Sequence, residues 1–249
     1  MRRHDLLAGV HELLQPRTYF EIGVRKGDSL GLSRARSVAV DPFYEVEREL
    51  WCDLHLVRTT SDEFFAREQP FAHFETPVID LAFIDGMHLS EYALRDFINT
   101  ERFCHPGSVV IFDDVLPRSV EEAARDRITG PWAGDVYKVI DTLQELRPDL
   151  TVIELDTAPT GTLAILNLAP RNRTLVRAYD DLVADYVTPD PQDVSIEYLQ
   201  RTRAMAAEDL LAAPIWDTLR AVRSMPPARA RRDVRGALLA AGLTTGDAA

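Results

Sequence analysis

Tyr19-Phe20-Glu21-Ile22-Gly23-Val24-Arg25-Lys26-Gly27-Asp28-Ser29 reads as a short apolar strand that runs into a glycine turn and opens a helix. About sixty residues on, Phe83-Ile84-Asp85-Gly86-Met87-His88 and Ile111-Phe112-Asp113-Asp114 end two further apolar runs in carboxylates. A glycine turn with acids at strand C-termini places a nucleotide-type ligand and a cation at the open edge of a parallel sheet.

Working outward, β-branched apolar runs recur at 19–24, 37–41, 54–58, 78–84 and 108–112, separated by polar or amphipathic stretches. Continuous apolar runs of that length suit a parallel sheet buried on both faces. Two more runs, 151–155 and 162–168, are split by Ala158-Pro159-Thr160-Gly161. So short a connection makes them antiparallel, because a parallel crossover needs a dozen or more residues. A seven-stranded, mostly parallel sheet follows. Leu6, Leu7, Val10, Leu13 and Leu14 mark a helix ended by Pro16, and a second helix runs from about Val136 to Leu146 before Pro148. Between Asp114 and that helix, Gly130-Pro131-Trp132-Ala133-Gly134-Asp135 reads as a loop over the strand ends.

Residues 1–170 form the sheet domain and 171–249 a helical extension interrupted at Thr188-Pro189-Asp190-Pro191 and Met225-Pro226-Pro227. The extension reads as an appendage on the sheet, a dimer contact or a cap over substrate. From about Thr244 the chain is small and polar and is expected to fray.

The formal charge of -12 disfavours nucleic acid and anionic membrane as partners, since both need a basic surface. Cys52 and Cys104 make no disulfide framework, and no stretch approaches a membrane span. The expectation is a cytoplasmic protein, homodimeric, acting on a small-molecule or oligosaccharide substrate.

In the glycine turn, Gly23 lets the backbone turn sharply and Gly27 removes a Cβ where the helix start meets a ligand. The spacing is looser than a dinucleotide turn, and Glu21 suits a cationic amino group better than a pyrophosphate. Asp41 closes the second strand, where a carboxylate can hold both hydroxyls of a ribose. Ser61-Asp62, past the third strand, could reach an adenine amino group. Ser29 and Asp85 complete the expected cofactor set.

Glu21-x-Gly23-x-x-x-Gly27, Val40-Asp41, Phe83-Ile84-Asp85-Gly86-x-His88 and Pro106-Gly107-Ser108-Val109-Val110-Ile111-Phe112-Asp113-Asp114 resemble class I S-adenosylmethionine-dependent methyltransferases. The likeness is to the metal-dependent O-methyltransferase branch, with its catechol enzymes and antibiotic-sugar enzymes, and it covers about residues 15–170. It implies a Rossmann-like sheet with helices on both faces, S-adenosylmethionine as methyl donor and Mg²⁺ as cofactor.

Asp85, Asp113 and Asp114 end neighbouring strands about 4.8 Å apart and so can converge on one cation. Oxygen ligands in small number suit Mg²⁺. Capping of a following helix is the alternative for Asp113-Asp114. Methyl transfer from a sulfonium to a hydroxyl needs a base. The catechol enzymes place a lysine three residues past the metal acid, and the sugar enzymes are implicated in using an aspartate two residues past it. Here Met87 stands at the second position, which leaves His88 as the catalytic base, with Asp135, Tyr137, Lys138 and His105 as alternatives. Trp132, Asp135, Tyr137 and Lys138 would line the acceptor; few aromatics and two charged groups favour a sugar hydroxyl over a catechol. An NAD-dependent oxidoreductase is disfavoured by the glycine spacing and by Asp113-Asp114, and a non-catalytic module by the completeness of the acid set.

Overall fold

The computed structural model describes residues 1–244. The expected fraying beyond Thr244 lies outside them. A seven-stranded sheet is formed by β1 (Thr18–Ile22), β2 (Arg36–Val40), β3 (Leu54–Val57), β4 (Ile79–Ile84), β5 (Cys104–Asp113), β6 (Thr151–Leu155) and β7 (Thr162–Leu166), in the order β3-β2-β1-β4-β5-β7-β6. The first five run parallel, and β7 lies antiparallel between β5 and β6. The strand order reverses between β1 and β4, where ligands of such sheets bind beyond the strand C-termini.

The helices are α1 (Arg3–Leu14), α2 (Ser61–Phe65), α3 (Ser90–Glu101), α4 (Lys138–Leu146), α5 (Thr174–Tyr186), α6 (Ile196–Leu199), α7 (Ala207–Ala212), α8 (Trp216–Ala221) and α9 (Pro227–Ala240). None is long and apolar enough to cross a membrane. Strand alternation sorts the core into two layers. Phe20, Ile22, Ala82, Ile84, Val110 and Phe112 face the layer that takes in residues of α2, α3, α4, α5 and α6. Tyr19, Leu81, Phe83, Val109 and Ile111 face the other, with α1, α7, α8 and α9.

The glycine turn does not open an α-helix. Only one 3-10 turn forms, at Leu30–Leu32, because little chain separates Gly27 from β2 at Arg36, and Gly31 and Ser33 weaken what there is. Nor does a helix form between β2 and β3. The sheet face left uncovered by these two crossovers is covered by α1 and by the extension. Leu210, Ile215, Trp216, Leu219, Val222, Val234 and Leu238 are buried there, each such side chain contributing on the order of 1.5–3 kcal/mol. The fit is close: a Cβ on Gly107, at the start of β5, would lie 2.3 Å from the Leu219 carbonyl oxygen. The guanidiniums of Arg220 and Arg223 donate to the Leu13 and Leu14 carbonyls and satisfy the C-terminus of α1. The extension is thus part of the same core.

Candidate active site at the carboxyl edge of the sheet

Asp113 is the last residue of β5, and Asp114 follows where the strand ends. Asp114 turns to the α3 side, with its backbone in the left-handed region (φ 58°), and the Thr160 hydroxyl donates to its Oδ1. Asp113 turns to the α1 side, where the Arg3 guanidinium forms an ion pair with Oδ2. The three acids expected to share a cation therefore divide. Asp85, His88 and Asp114 come together instead, each offering a ligand atom within 4.8 Å of the others, with Asp113 alongside in the same cleft. The cleft keeps about 10 Å³ of free space, room for one water-sized species.

His88 is clamped. Its Nε2 lies 3.2 Å from Asp85, and its Nδ1 lies 2.9 Å from the Trp132 carbonyl oxygen and 3.2 Å from Asp114. The ring stacks on the Trp132 indole, with centroids 5.2 Å apart. Its backbone is also left-handed (φ 55°), and Gly134 crosses so closely that a Cβ there would sit 1.7 Å from the His88 carbonyl oxygen. Two non-glycine residues strained at adjacent strand ends are the kind of outlier that clusters at functional sites. Burial alone would lower the imidazole pKa, but the hydrogen bond to Asp85 and the charges of Asp114 and Asp85 outweigh it and push it up to about 9. Burial, with repulsion from the other acids, raises Asp113 well above the carboxylate range and raises Asp114 as well.

The glycine turn is built around two acids. Glu21 is fully buried and accepts from the Tyr19 hydroxyl at 2.5 Å and the Ser29 hydroxyl at 2.7 Å. Burial, only partly offset by those bonds, pushes its pKa up to about 8. Gly23 (φ 89°) is required by the neighbouring backbone: a Cβ would lie 1.8 Å from the Asp85 carbonyl oxygen. Gly27 packs on Val46 instead of opening a helix. Asp41 accepts from the Arg25 amide at 2.7 Å and the Phe43 amide at 2.6 Å, which fixes the turn against the end of β2. Ser61 lies in the first turn of α2, and Asp62 pairs with Arg95 through both oxygens, at 2.6 and 2.5 Å.

Residues 115–137 do form a loop beside the strand ends, but three of its four expected acceptor residues are spent internally. Asp135 is fully buried and accepts from Ser90 N, Arg125 and Lys138. Lys138 also donates to the Tyr186 carbonyl and to Gln192, and Tyr137 donates to the Asp193 carbonyl. Trp132 alone reaches the cleft, through its stack on His88. His105 lies at the other end of the sheet, 2.8 Å from Asp80.

Residues 20–115 match the family model described as a methyltransferase domain. The match runs from Phe20, through the glycine turn, Asp41, Asp85 and His88, to just past Asp114. The fold is similar to that of TomG, an O-methyltransferase from Streptomyces achromogenes involved in tomaymycin synthesis and solved in complex with SAM. The two are 19% identical, with 67% of this chain and 80% of TomG covered and a TM-score of 0.48. It is also similar to an O-methyltransferase from Bacillus cereus solved in complex with SAH, at 17% identity, 66% and 80% coverage and a TM-score of 0.45. No curated protein matches the chain.

Four further residues at the carboxyl edge of the sheet escape a reading of the sequence. Arg3 and Thr160 reach the acids from distant parts of the chain. Asp96, on α3, lines the cleft, and burial pushes its pKa up to about 7. Phe43, 86% exposed and two residues past Asp41, presents an aromatic face at the end of β2. Only Phe43 carried a local signal, an aromatic in a polar loop beside a strand-end acid.

Proposed function

We propose that this chain is an O-methyltransferase that uses S-adenosylmethionine and a divalent cation, with a sugar hydroxyl as acceptor. The convergence of Asp85, His88 and Asp114 beside the glycine turn of a methyltransferase domain carries the reading. The donor set fits a cation: two carboxylates, one imidazole and a cleft of ion size. Carboxylates alone suit Mg²⁺, and the imidazole extends the range to Mn²⁺. When bound, the cofactor supplies the methyl group and the cation lowers the pKa of the acceptor hydroxyl.

The chain's own residues do the rest. Asp85 and Asp114 hold the cation, and His88 joins them in its neutral form, since an imidazolium has no lone pair to offer a cation or a proton. The same requirement applies to His88 as base. Asp41 would accept from the ribose hydroxyls of a bound cofactor, and the exposed Phe43 ring would cover its purine. Buried Glu21 keeps the turn in shape through Ser29. Asp135, Tyr137 and Lys138 brace the loop and are not part of the acceptor site.

The sugar preference rests on the scarcity of aromatic residues in the loop through Trp132, where a catechol would need aromatic walls. A groove of about 320 Å³ lined by Arg118, Ser119, Glu122, Thr129 and Pro131 opens in the same loop, with Arg118 and Glu122 paired to each other. Calorimetry with S-adenosylmethionine, S-adenosylhomocysteine and NAD, with and without Mg²⁺, tests the proposal. Binding of both sulfur ligands and not NAD is expected, with Mg²⁺ binding lost in Asp114→Ala. Preferential NAD binding would sink the reading.

A further inference from the structure

We propose that Tyr19 is a positioning residue for the cofactor, which through Glu21 sets the Ser29 hydroxyl at the glycine turn. The inference rests on the proposed reading of that turn as part of an S-adenosylmethionine site. Tyr19 and Glu21 lie two residues apart on β1, so both point to the α1 side of the sheet. Both are fully buried. The Tyr19 hydroxyl donates to Glu21 Oε2 at 2.5 Å, and Oε1 lies 2.7 Å from the Ser29 hydroxyl. With both oxygens bonded and none of its surface open, Glu21 reaches a ligand only through Ser29, which is 6% exposed.

The phenol at position 19 has a polar purpose. Its layer holds Leu81, Phe83, Val109 and Ile111, among which a phenylalanine would pack as well. A buried hydroxyl in such a layer is costly unless partnered, and Glu21 is its one hydrogen-bond partner among the described residues. The ring is fixed edge-on against His11 of α1, with centroids 4.8 Å apart. Burial and the neighbouring Glu21 raise the phenol pKa, so the hydroxyl keeps its proton. A carboxyl accepts from it whether ionised or not, and the arrangement holds on both sides of the Glu21 pKa of about 8.

Ser29 is the outer end of this chain of contacts. It follows Gly27 by two residues and leads into the 3-10 turn, its carbonyl accepting from the Leu32 amide at 3.0 Å. The turn fixes its backbone and the bond to Glu21 fixes its side chain. In the proposed site Asp41 takes the ribose, and Asp85 and Asp114 mark the reacting end. The glycine turn between them is left to the amino-acid part of the cofactor, whose ammonium and carboxylate are groups that a serine hydroxyl can bond.

Calorimetry of the full chain with S-adenosylhomocysteine and with 5′-methylthioadenosine, which lacks the amino-acid part, tests this. Ser29→Ala and Tyr19→Phe should each weaken S-adenosylhomocysteine binding by roughly three- to tenfold, the loss of one hydrogen bond, and leave 5′-methylthioadenosine within about twofold of wild type. The double variant should lose no more than either single one, because the effect of Tyr19 passes through Ser29. Glu21→Gln, whose amide still accepts from Tyr19 and bonds Ser29, should stay within about twofold of wild type. If Tyr19→Phe does not fold, Tyr19→Phe/Glu21→Met removes both partners together and should fold and bind S-adenosylhomocysteine as Ser29→Ala does. Failure of that pair to fold, or wild-type affinity in it, overturns the inference. Equal weakening of both ligands by Tyr19→Phe, or undiminished S-adenosylhomocysteine binding in either single variant, overturns it as well, while the cofactor site survives. No S-adenosylhomocysteine binding by wild type overturns the S-adenosylmethionine reading itself, and the inference with it.

Discussion

The two ends of β4 and β5 each carry a buried aspartate with a histidine beside it, and they behave in opposite ways. At the amino end, Asp80 accepts from the Arg17 amide at 2.8 Å, from the Arg17 guanidinium at 3.0 and 3.2 Å, and pairs with His105 at 2.8 Å, while Arg223 lies 3.6 Å away. Burial would raise its pKa, but hydrogen bonds from His105 and Arg17 win and hold it well below the usual carboxylate range. At the carboxyl end, Asp113 and Asp114 are raised, because burial and mutual repulsion outweigh what Arg3, His88 and Thr160 provide. A buried acid whose lone pairs are filled is part of the scaffold. A buried acid left short of partners is poised for something that binds.

Removing the scaffold acid should have the largest effect. Asp80→Ala leaves His105 and the Arg17 amide without their acceptor and Arg223 without its counter-charge, and should cost about 3–5 kcal/mol in denaturant unfolding. A loss below about 1 kcal/mol would break the contrast between the two ends.

The pH dependence should run in opposite directions at the two ends. Glu21, raised to about 8, contributes stability that is complete below its unfolded value and lost as pH rises through 8. Thermal midpoints should fall between pH 5 and 9, by a few kcal/mol in free energy. Glu21→Gln should flatten that slope, and an unchanged slope would remove Glu21 as its source. Asp80, depressed by its partners, contributes stability that is lost only on the acid side, as pH falls through its folded value.

The smallest expected effect is a gain. Asp113→Asn removes a buried, poorly compensated charge and should stabilise the metal-free protein by about 1–2 kcal/mol at pH 8. Destabilisation of that size would mean that the Arg3–Asp113 pair is structural cement, like Asp80 and Arg17.

All seven strands and their pairing sense were legible, because doubly buried strands are written as continuous apolar runs and a six-residue connection admits only an antiparallel pair. The helix expected after Gly27 was not legible as a 3-10 turn, since glycine turns precede both and only chain length decides. The site was half legible. Strand-end acids announce themselves. Which acid meets His88, and which meets Arg3, depends on how α1 and the loop through Trp132 dock, and docking has no local signature. Asp135 and Lys138 were open to misreading for the same reason: their partners, Arg125, Tyr186 and Gln192, lie up to 54 residues away.

The dependence of one sheet face on α7, α8 and α9 has a consequence for synthesis. Strands β1 to β5 leave the ribosome with Tyr19, Leu81, Phe83, Val109 and Ile111 facing a layer whose far wall is not yet made. That face stays open to solvent until the segment through Leu238 has emerged, and the contacts that close it span about two hundred residues, as between Leu13 and Arg220. Loops so long are slow to close. The nascent chain therefore spends its synthesis as a half-covered sheet, the state in which chaperones would find it and in which a chain cut short before α7 would aggregate.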